Sequence, residues 1–95
     1  MKTKILQWAK NKGILDKATP NSQMLKTVEE VGELASALAN RDLPEIKDAI
    51  GDITVTLVIQ AELNGLDFDE CVQSAYDVIA KRTGKMVNGV FVKDT

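Results

Sequence analysis

The segment from residue 44 to residue 64 constrains the fold most, because its apolar residues repeat with helical spacing on two sides. One stripe consists of Ile46, Ile50, Ile53 and Leu57, and the second consists of Asp48, Asp52, Val55 and Ile59. A helix that is apolar on both sides is buried on both sides, so we predict that it is the central helix of an all-α domain. Asp48 and Asp52 then lie on a covered stripe, where charge is costly unless something compensates it.

Three further segments have helical periodicity, and they are residues 3–12, 22–40 and 68–83. Residues 14–19 are expected to form a connector, and Asn21 or Ser22 is expected to cap the helix over 22–40. That helix carries an apolar stripe that we predict to face the core, made of Met24, Val28, Val31, Ala35 and Leu38. The helix over 68–83 should likewise direct Cys71, Val72, Ala75, Val78 and Ile79 inward.

The C-terminal segment differs from the rest, because Asn88-Gly89 separates two short β-prone runs. This dipeptide is the strongest short-range signal for a β-hairpin. The sequence therefore predicts one all-α domain over residues 1–95, a four-helix bundle followed by a small C-terminal β-hairpin. A chain of 95 residues has a small core, so a second subunit is expected to complete the burial of its apolar surface.

The composition excludes several classes of function. The chain has no histidine, which rules out Ser-His-Asp and Cys-His nucleophile systems and any zinc site built on imidazole. Any bound metal must be held by oxygen ligands, which favours Mg²⁺, Mn²⁺ or Ca²⁺. The formal net charge of −2 argues against a nucleic-acid surface, and no apolar run is long enough to span a bilayer. We expect a cytoplasmic protein with neither nucleic acid nor membrane as a partner.

An acidic cluster lies on the helix over residues 22–40. Glu29, Glu30 and Glu33 fall away from its predicted apolar stripe, and Lys26 is the helical neighbour of opposite charge. A solvated helix face is the simpler interpretation of such a cluster. However, like charges three and four residues apart are unfavourable if nothing binds them.

A second acidic pair lies where it can face this cluster. The short connection at residues 41–44 makes the two helices antiparallel neighbours, so Asp48 and Asp52 can meet Glu30 and Glu33. Converging carboxylates suit hard divalent cations. We therefore predict a divalent metal site between the two helices.

The same residues resemble a known family. EEVGE at residues 29–33, followed by DAIGD at residues 48–52, resembles the EExxE…ExxD signature of the MazG-like, all-α nucleoside triphosphate pyrophosphohydrolases. The closing stretch, YDVIAKRTGKMVNGVFVK, is similar to the compact, often phage-borne members. The resemblance implies a homodimer or tetramer that uses Mg²⁺, or Mn²⁺ in its place. It would hydrolyse a (deoxy)nucleoside triphosphate to the monophosphate and pyrophosphate, through attack of metal-bound water on the α-phosphate.

Matched by position, the resemblance also implies residue roles. Glu30, Glu33 and Asp52 match metal ligands, and Glu29 matches the leading acid, which is a ligand or the base for the attacking water. Glu29, Glu30 and Glu33 are therefore the candidate catalytic residues. The chain has Ala49 where the family signature has a glutamate, and Asp48, one residue earlier, is the candidate replacement ligand.

Five residues are candidates for contact with the substrate: Trp8, Lys26, Lys81, Arg82 and Lys85. Trp8 can either pack in the core or stack on a nucleobase. Lys81 and Arg82 lie near a helix C-terminus, where basic residues commonly complement the helix dipole, and the alternative is contact with phosphate. Lys26 and Lys85 are candidates for the same phosphate contact.

Two other functions are compatible with the sequence. The protein could be a catalytically weak nucleotide-binding, metal-binding or regulatory helical oligomer, with Ala49 marking the loss of activity. It could also be a helical bundle that oligomerises and binds no ligand. Incubation with nucleoside triphosphates, with and without Mg²⁺, separates these alternatives.

Overall fold

A computed structural model describes residues 1–94, which form five helices and one two-stranded antiparallel sheet. The elements in chain order are α1 (Lys2–Asn11), α2 (Ile14–Lys17), α3 (Pro20–Ala39), α4 (Leu43–Leu63), α5 (Phe68–Ile79), β1 (Gly84–Val87) and β2 (Val90–Lys93). The predicted all-α bundle with a C-terminal hairpin is confirmed. The predicted connector differs in one respect, because four of its residues form the short helix α2.

Helix α4 is the central helix, as predicted, although Ile50 and Leu57 of its first apolar stripe are exposed. Helix α3 packs along it, and α1, α2 and α5 also contact it. Its buried residues lie on several sides and are Ala49, Thr56, Val58, Ile59 and Ala61. The site described below is therefore built on the best-covered element of the chain.

The start of α3 differs from the prediction of Asn21 or Ser22 as its cap. The cap is Thr19, whose hydroxyl accepts a hydrogen bond from the Ser22 backbone at 3.1 Å. Ser22 returns the interaction, since its hydroxyl accepts from the Thr19 backbone N–H at 2.9 Å. Pro20 suits the first helical position because its missing N–H would have no partner there. This reciprocal capping fixes the entry of the chain into α3.

The predicted core face of α3 is wrong. Met24, Val28, Val31 and Leu38 remain about half exposed, and Val31 is 49% exposed. The side chains turned toward α4 are instead Gln23, Thr27, Glu30, Leu34 and Ala37, which share one face at helical spacing. The physical reason is that Gln23 and Thr27 satisfy their polar groups by bonding to α4, so they can be buried without penalty.

The C-terminal part extends from the bundle. Helix α5 ends at Ile79, earlier than the predicted residue 83, and its residues from Asp69 onward are exposed, contrary to the predicted inner face. The hairpin forms as predicted around Asn88 and Gly89, whose positive φ angles of 50° and 81° fit a tight hairpin turn. The radius of gyration is 15.8 Å. A compact domain of this length would have about 12 Å, so α5 and the hairpin form a projecting arm.

Among the described residues, no helix is both long enough and apolar enough to cross a membrane.

Candidate metal and nucleotide site

Helices α3 and α4 bring three carboxylates together. One oxygen from each of Glu30, Glu33 and Asp52 lies within 4.8 Å of the other two. Glu30 and Glu33 are one turn apart on α3, and Asp52 approaches them from the antiparallel helix α4. Three oxygens at this separation can share one hard divalent cation.

Glu30 is the most constrained member of this group. Its Oε2 atom is buried and has no hydrogen-bond partner within the described part of the chain. A buried carboxylate oxygen without a donor is costly, because water that would solvate it has been removed. The arrangement therefore favours either a proton or a cation at this oxygen.

The electrostatics of the cluster point in the same direction. The pKa of Glu30 is raised, first by burial and then by the adjacent carboxylate of Glu33. Burial also raises the pKa of Asp52, followed by the charge of Asp48 beside it. Both shifts mean that the ionised forms are less favourable in the folded chain than in water. A bound cation would remove that penalty.

The other acidic candidates lie at the edge of the three-carboxylate group. Asp48 is exposed, and its negative charge raises the pKa of Asp52. Glu29 is exposed and accepts a hydrogen bond from Lys26 Nζ at 2.9 Å. Ala49, where the family signature has glutamate, is only 4% exposed and lies on the same face of α4 as Thr56, toward α3.

Two adjoining cavities open beside Asp52. One has a volume of about 570 Å³ and is lined in part by Lys47, Asp48 and Asp52. The other, of about 340 Å³, is lined by Lys4, Ile5, Trp8, Asp52 and Val55. Both lie between α1 and α4, so the carboxylate group borders a space that a nucleotide could enter.

Trp8 forms a wall of this space and is not a core residue. Its side chain is 48% exposed, and it shares the smaller cavity with Asp52. Lys4 lies one helical turn before it on α1 and lines the same cavity. Sequence reasoning did not identify Lys4 or Lys47. The available signals were the spacing of Lys4 from Trp8 and the position of Lys47 next to Asp48.

The other basic candidates are distributed over the molecule. Lys26 lines a cavity of about 480 Å³ together with Lys12 and Lys17, one turn before the acidic cluster on α3. By contrast, the structure places the remaining three basic candidates on the arm, all exposed, and they are Lys81, Arg82 and Lys85. Within residues 1–94 they line neither of the two cavities beside Asp52.

A phage protein resembles part of this chain. The "Uncharacterized 18.2 kDa protein in rep-hol intergenic region" of Haemophilus phage HP1 (strain HP1c1) is 43% identical over 63 residues, which is 66% of this chain. The match covers 39% of the phage protein, so the chain spans about two fifths of that relative. No solved structure matches the chain significantly.

A family profile covers most of the bundle. The profile of the MazG nucleotide pyrophosphohydrolase domain matches residues 18–87, which include α3, α4, α5 and the first strand of the hairpin. The matched range contains all of the carboxylates described above. On this match over most of its length, the chain belongs to the MazG nucleotide pyrophosphohydrolase domain family.

Proposed function

We propose that the protein is a divalent-metal-dependent pyrophosphohydrolase that converts a (deoxy)nucleoside triphosphate to the monophosphate and pyrophosphate. The observation that carries the proposal is the convergence of Glu30, Glu33 and Asp52, with a buried Glu30 oxygen that has no partner among the described residues. Family membership supports nucleotide hydrolysis, and the donor set supports the metal.

The residues present fit Mg²⁺ or Mn²⁺. All three converging side chains are carboxylates, which are the ligands that these hard cations prefer. Glu30, Glu33 and Asp52 would hold the cation, and Asp48 would add charge at the edge of the site. When bound, the cation neutralises phosphate oxygens and makes water more acidic.

Glu29 is the base in this proposal. It is exposed on the turn that carries Glu30, so its carboxylate can accept a proton from water at the open side of the site. Lys26 donates a hydrogen bond to it, which orients the carboxylate and offsets its charge. Glu30 and Glu33 would contribute to catalysis by holding the cation that attracts the triphosphate.

The nucleotide would bind between α1 and α4. The exposed ring of Trp8 offers a surface for base stacking beside Asp52. Lys4 and Lys47 supply positive charge in the two cavities, and Lys26 does so on α3. Lys81, Arg82 and Lys85 lie on the projecting arm, so their contact with phosphate would occur in the site of a second subunit.

We further propose that residues 1–95 form a single domain and that the chain assembles into a homodimer or a higher oligomer. Helices α3 and α4 both leave large apolar side chains exposed, and these are Met24, Val28, Val31, Leu38, Leu43, Ile50 and Leu57. On each helix the apolar residues lie on a side different from that of the carboxylates, so a second copy could cover them without closing the acidic site. The resulting contact of two helix pairs would be a four-helix bundle.

An assay of hydrolysis tests the enzymatic proposal. Incubation with deoxynucleoside triphosphates and Mg²⁺ should yield monophosphate and pyrophosphate, and chelation of the metal should stop the reaction. Glu33→Gln and Asp52→Asn should each lower kcat/KM by about 100-fold or more, since loss of even an outer-shell group near a metal costs 10–100-fold. Glu70→Gln, on exposed α5, is the matched control and should retain activity.

The alternative of a binding protein is favoured by one observation, the buried Ala49 in place of the family glutamate. Binding of the triphosphate with Mg²⁺ but without turnover would support this alternative. Wild-type rates in Glu33→Gln or Asp52→Asn would remove those residues from the mechanism.

A further inference from the structure

The interface between α3 and α4 carries a series of polar contacts that leads to the acidic cluster. Gln60 Nε2 donates a hydrogen bond to the Pro20 carbonyl at 3.0 Å. One turn along α4, the Thr56 carbonyl accepts from Gln23 Nε2 at 3.1 Å. One turn further along α4 is Asp52, which meets Glu30. The carboxylates thus continue the row of polar contacts between α3 and α4.

The two threonines nearest the cluster are bonded in a defined direction. Thr56 Oγ1 donates to the Ile53 carbonyl at 2.7 Å, so its oxygen is left to accept. Thr27 Oγ1 donates to that oxygen at 3.0 Å, which is closer than its other acceptor, the Gln23 carbonyl at 3.4 Å. Both threonines and Gln23 are buried. A shift of one helix along the other would lengthen or bend the hydrogen bonds that join them.

Apolar contacts elsewhere in the interface do not impose such a position. Burial of aliphatic groups is non-directional, and it tolerates small sliding or rotation of one helix on the other. Hydrogen bonds lose strength when their distance or angle changes. A cation held by Glu30 on one helix and Asp52 on the other requires a fixed separation of their oxygens.

We propose that Gln23, Thr27 and Thr56 are positioning residues that hold α3 and α4 in the register needed for Glu30, Glu33 and Asp52 to bind one cation. The residues touch neither the cation nor the nucleotide, and they act through the helices that carry the ligands. This inference rests on the proposed metal site and names the residues that set the geometry of that site.

Two double variants separate positioning from simple stability. Thr27→Val/Thr56→Val keeps the shape of both side chains but removes the hydrogen bond between them. Replacement of both partners by apolar groups of the same shape leaves stability nearly unchanged or increases it. Thr27→Ser/Thr56→Ser keeps both hydroxyls and loses two buried methyl groups, so it should be the less stable of the two.

The two double variants should rank in the opposite order in their affinity for Mn²⁺, with the serine pair binding more tightly than the valine pair. Calorimetric titration of the full chain measures this affinity. The valine pair should bind Mn²⁺ about tenfold more weakly than wild type, a loss typical of groups that orient metal ligands. The serine pair should bind with wild-type affinity, although urea unfolding shows it to be less stable. Ile59→Val, a core truncation on α4 that alters none of these hydrogen bonds, should lower stability and leave the affinity unchanged.

The possible failures are distinguishable. A wild-type chain that binds no Mn²⁺ would overturn the metal site, and the positioning role with it. A wild-type chain that binds Mn²⁺, together with a valine pair that binds it equally well, would overturn the positioning role alone. Parallel losses of affinity and stability in the serine pair and in Ile59→Val would also overturn it.

Discussion

At the scale of one residue, Glu30 carries the proposal of a metal site. Its carboxylate is largely covered, one of its oxygens has no hydrogen-bond partner among the described residues, and Glu33 and Asp52 add like charge. Each feature makes the ionised form less favourable in the folded chain. A bound cation would offset all three features, which is why we propose Glu30 as a metal ligand.

The raised pKa of Glu30 gives a stability prediction. An acid whose pKa is higher in the folded state binds more protons there, so metal-free stability falls as pH rises from its ordinary value of 4.5 through the raised one. At pH 7.5 without metal, Glu30→Gln should therefore be more stable than wild type by about 1 kcal/mol, because it removes the buried charge. Urea unfolding at pH 7.5 and pH 4.5 measures the difference.

The pH comparison is the control for this prediction. The pKa of Glu30 is raised above 4.5, so more of the wild-type carboxyl is protonated at pH 4.5 than at pH 7.5, and the gain from Glu30→Gln should shrink. Saturating Mn²⁺ at pH 7.5 should reverse the order, since only the wild-type residue offers a full ligand. A metal-free Glu30→Gln variant that is less stable than wild type at pH 7.5 would contradict the account.

At the scale of the elements, α4 and α3 differ in how far the sequence determines their packing. The two apolar stripes of α4 predict a central helix, and the helix is central, but Ile50 and Leu57 of the first stripe remain exposed in the single chain. On α3 the most hydrophobic stripe is the exposed one. The buried face contains Gln23 and Thr27, whose hydrogen-bond partner, Thr56, is 33 and 29 residues away along the chain. Local hydrophobicity carries no information about such distant partners.

The exposed stripes of α3 and α4 predict an interface between copies. Val31 and Ile50 are 49% and 54% exposed, and both lie away from the carboxylates. Val31→Asp and Ile50→Asp should each convert the oligomer to a monomer, because a charge in the centre of an apolar interface is strongly unfavourable. Light scattering coupled to gel filtration measures the change in mass.

A control for surface charge alone is Thr3→Asp, on the exposed side of α1, which should leave the mass unchanged. A wild-type chain that is monomeric at micromolar concentration would refute the interface. Unchanged mass in both Val31→Asp and Ile50→Asp would place the interface elsewhere, on α5 or the hairpin.

At the scale of the whole molecule, the sequence allows the acidic half of the site to be predicted better than the substrate half. The short connection between α3 and α4 predicts that their carboxylates meet, and the family signature selects Glu30, Glu33 and Asp52. The position of Glu30 on the face toward α4 is not predicted, because helical spacing indicates a different core face for α3. The cavities beside Asp52 depend on where α1 crosses α4, which periodicity does not specify. For that reason the sequence does not single out Lys4 and Lys47, which line these cavities. It also does not show that Lys81, Arg82 and Lys85 lie on a projecting arm.

The cation site is the central claim, and direct titration tests it without any assumption about the substrate. Calorimetry with Mn²⁺ at pH 7.5, on wild type and on Asp52→Asn, is the most direct measurement. Saturable binding of at least one cation per chain is expected, weakened by about tenfold or more in Asp52→Asn. Equal binding by the two proteins, or no saturable binding by wild type, would contradict a metal site between α3 and α4.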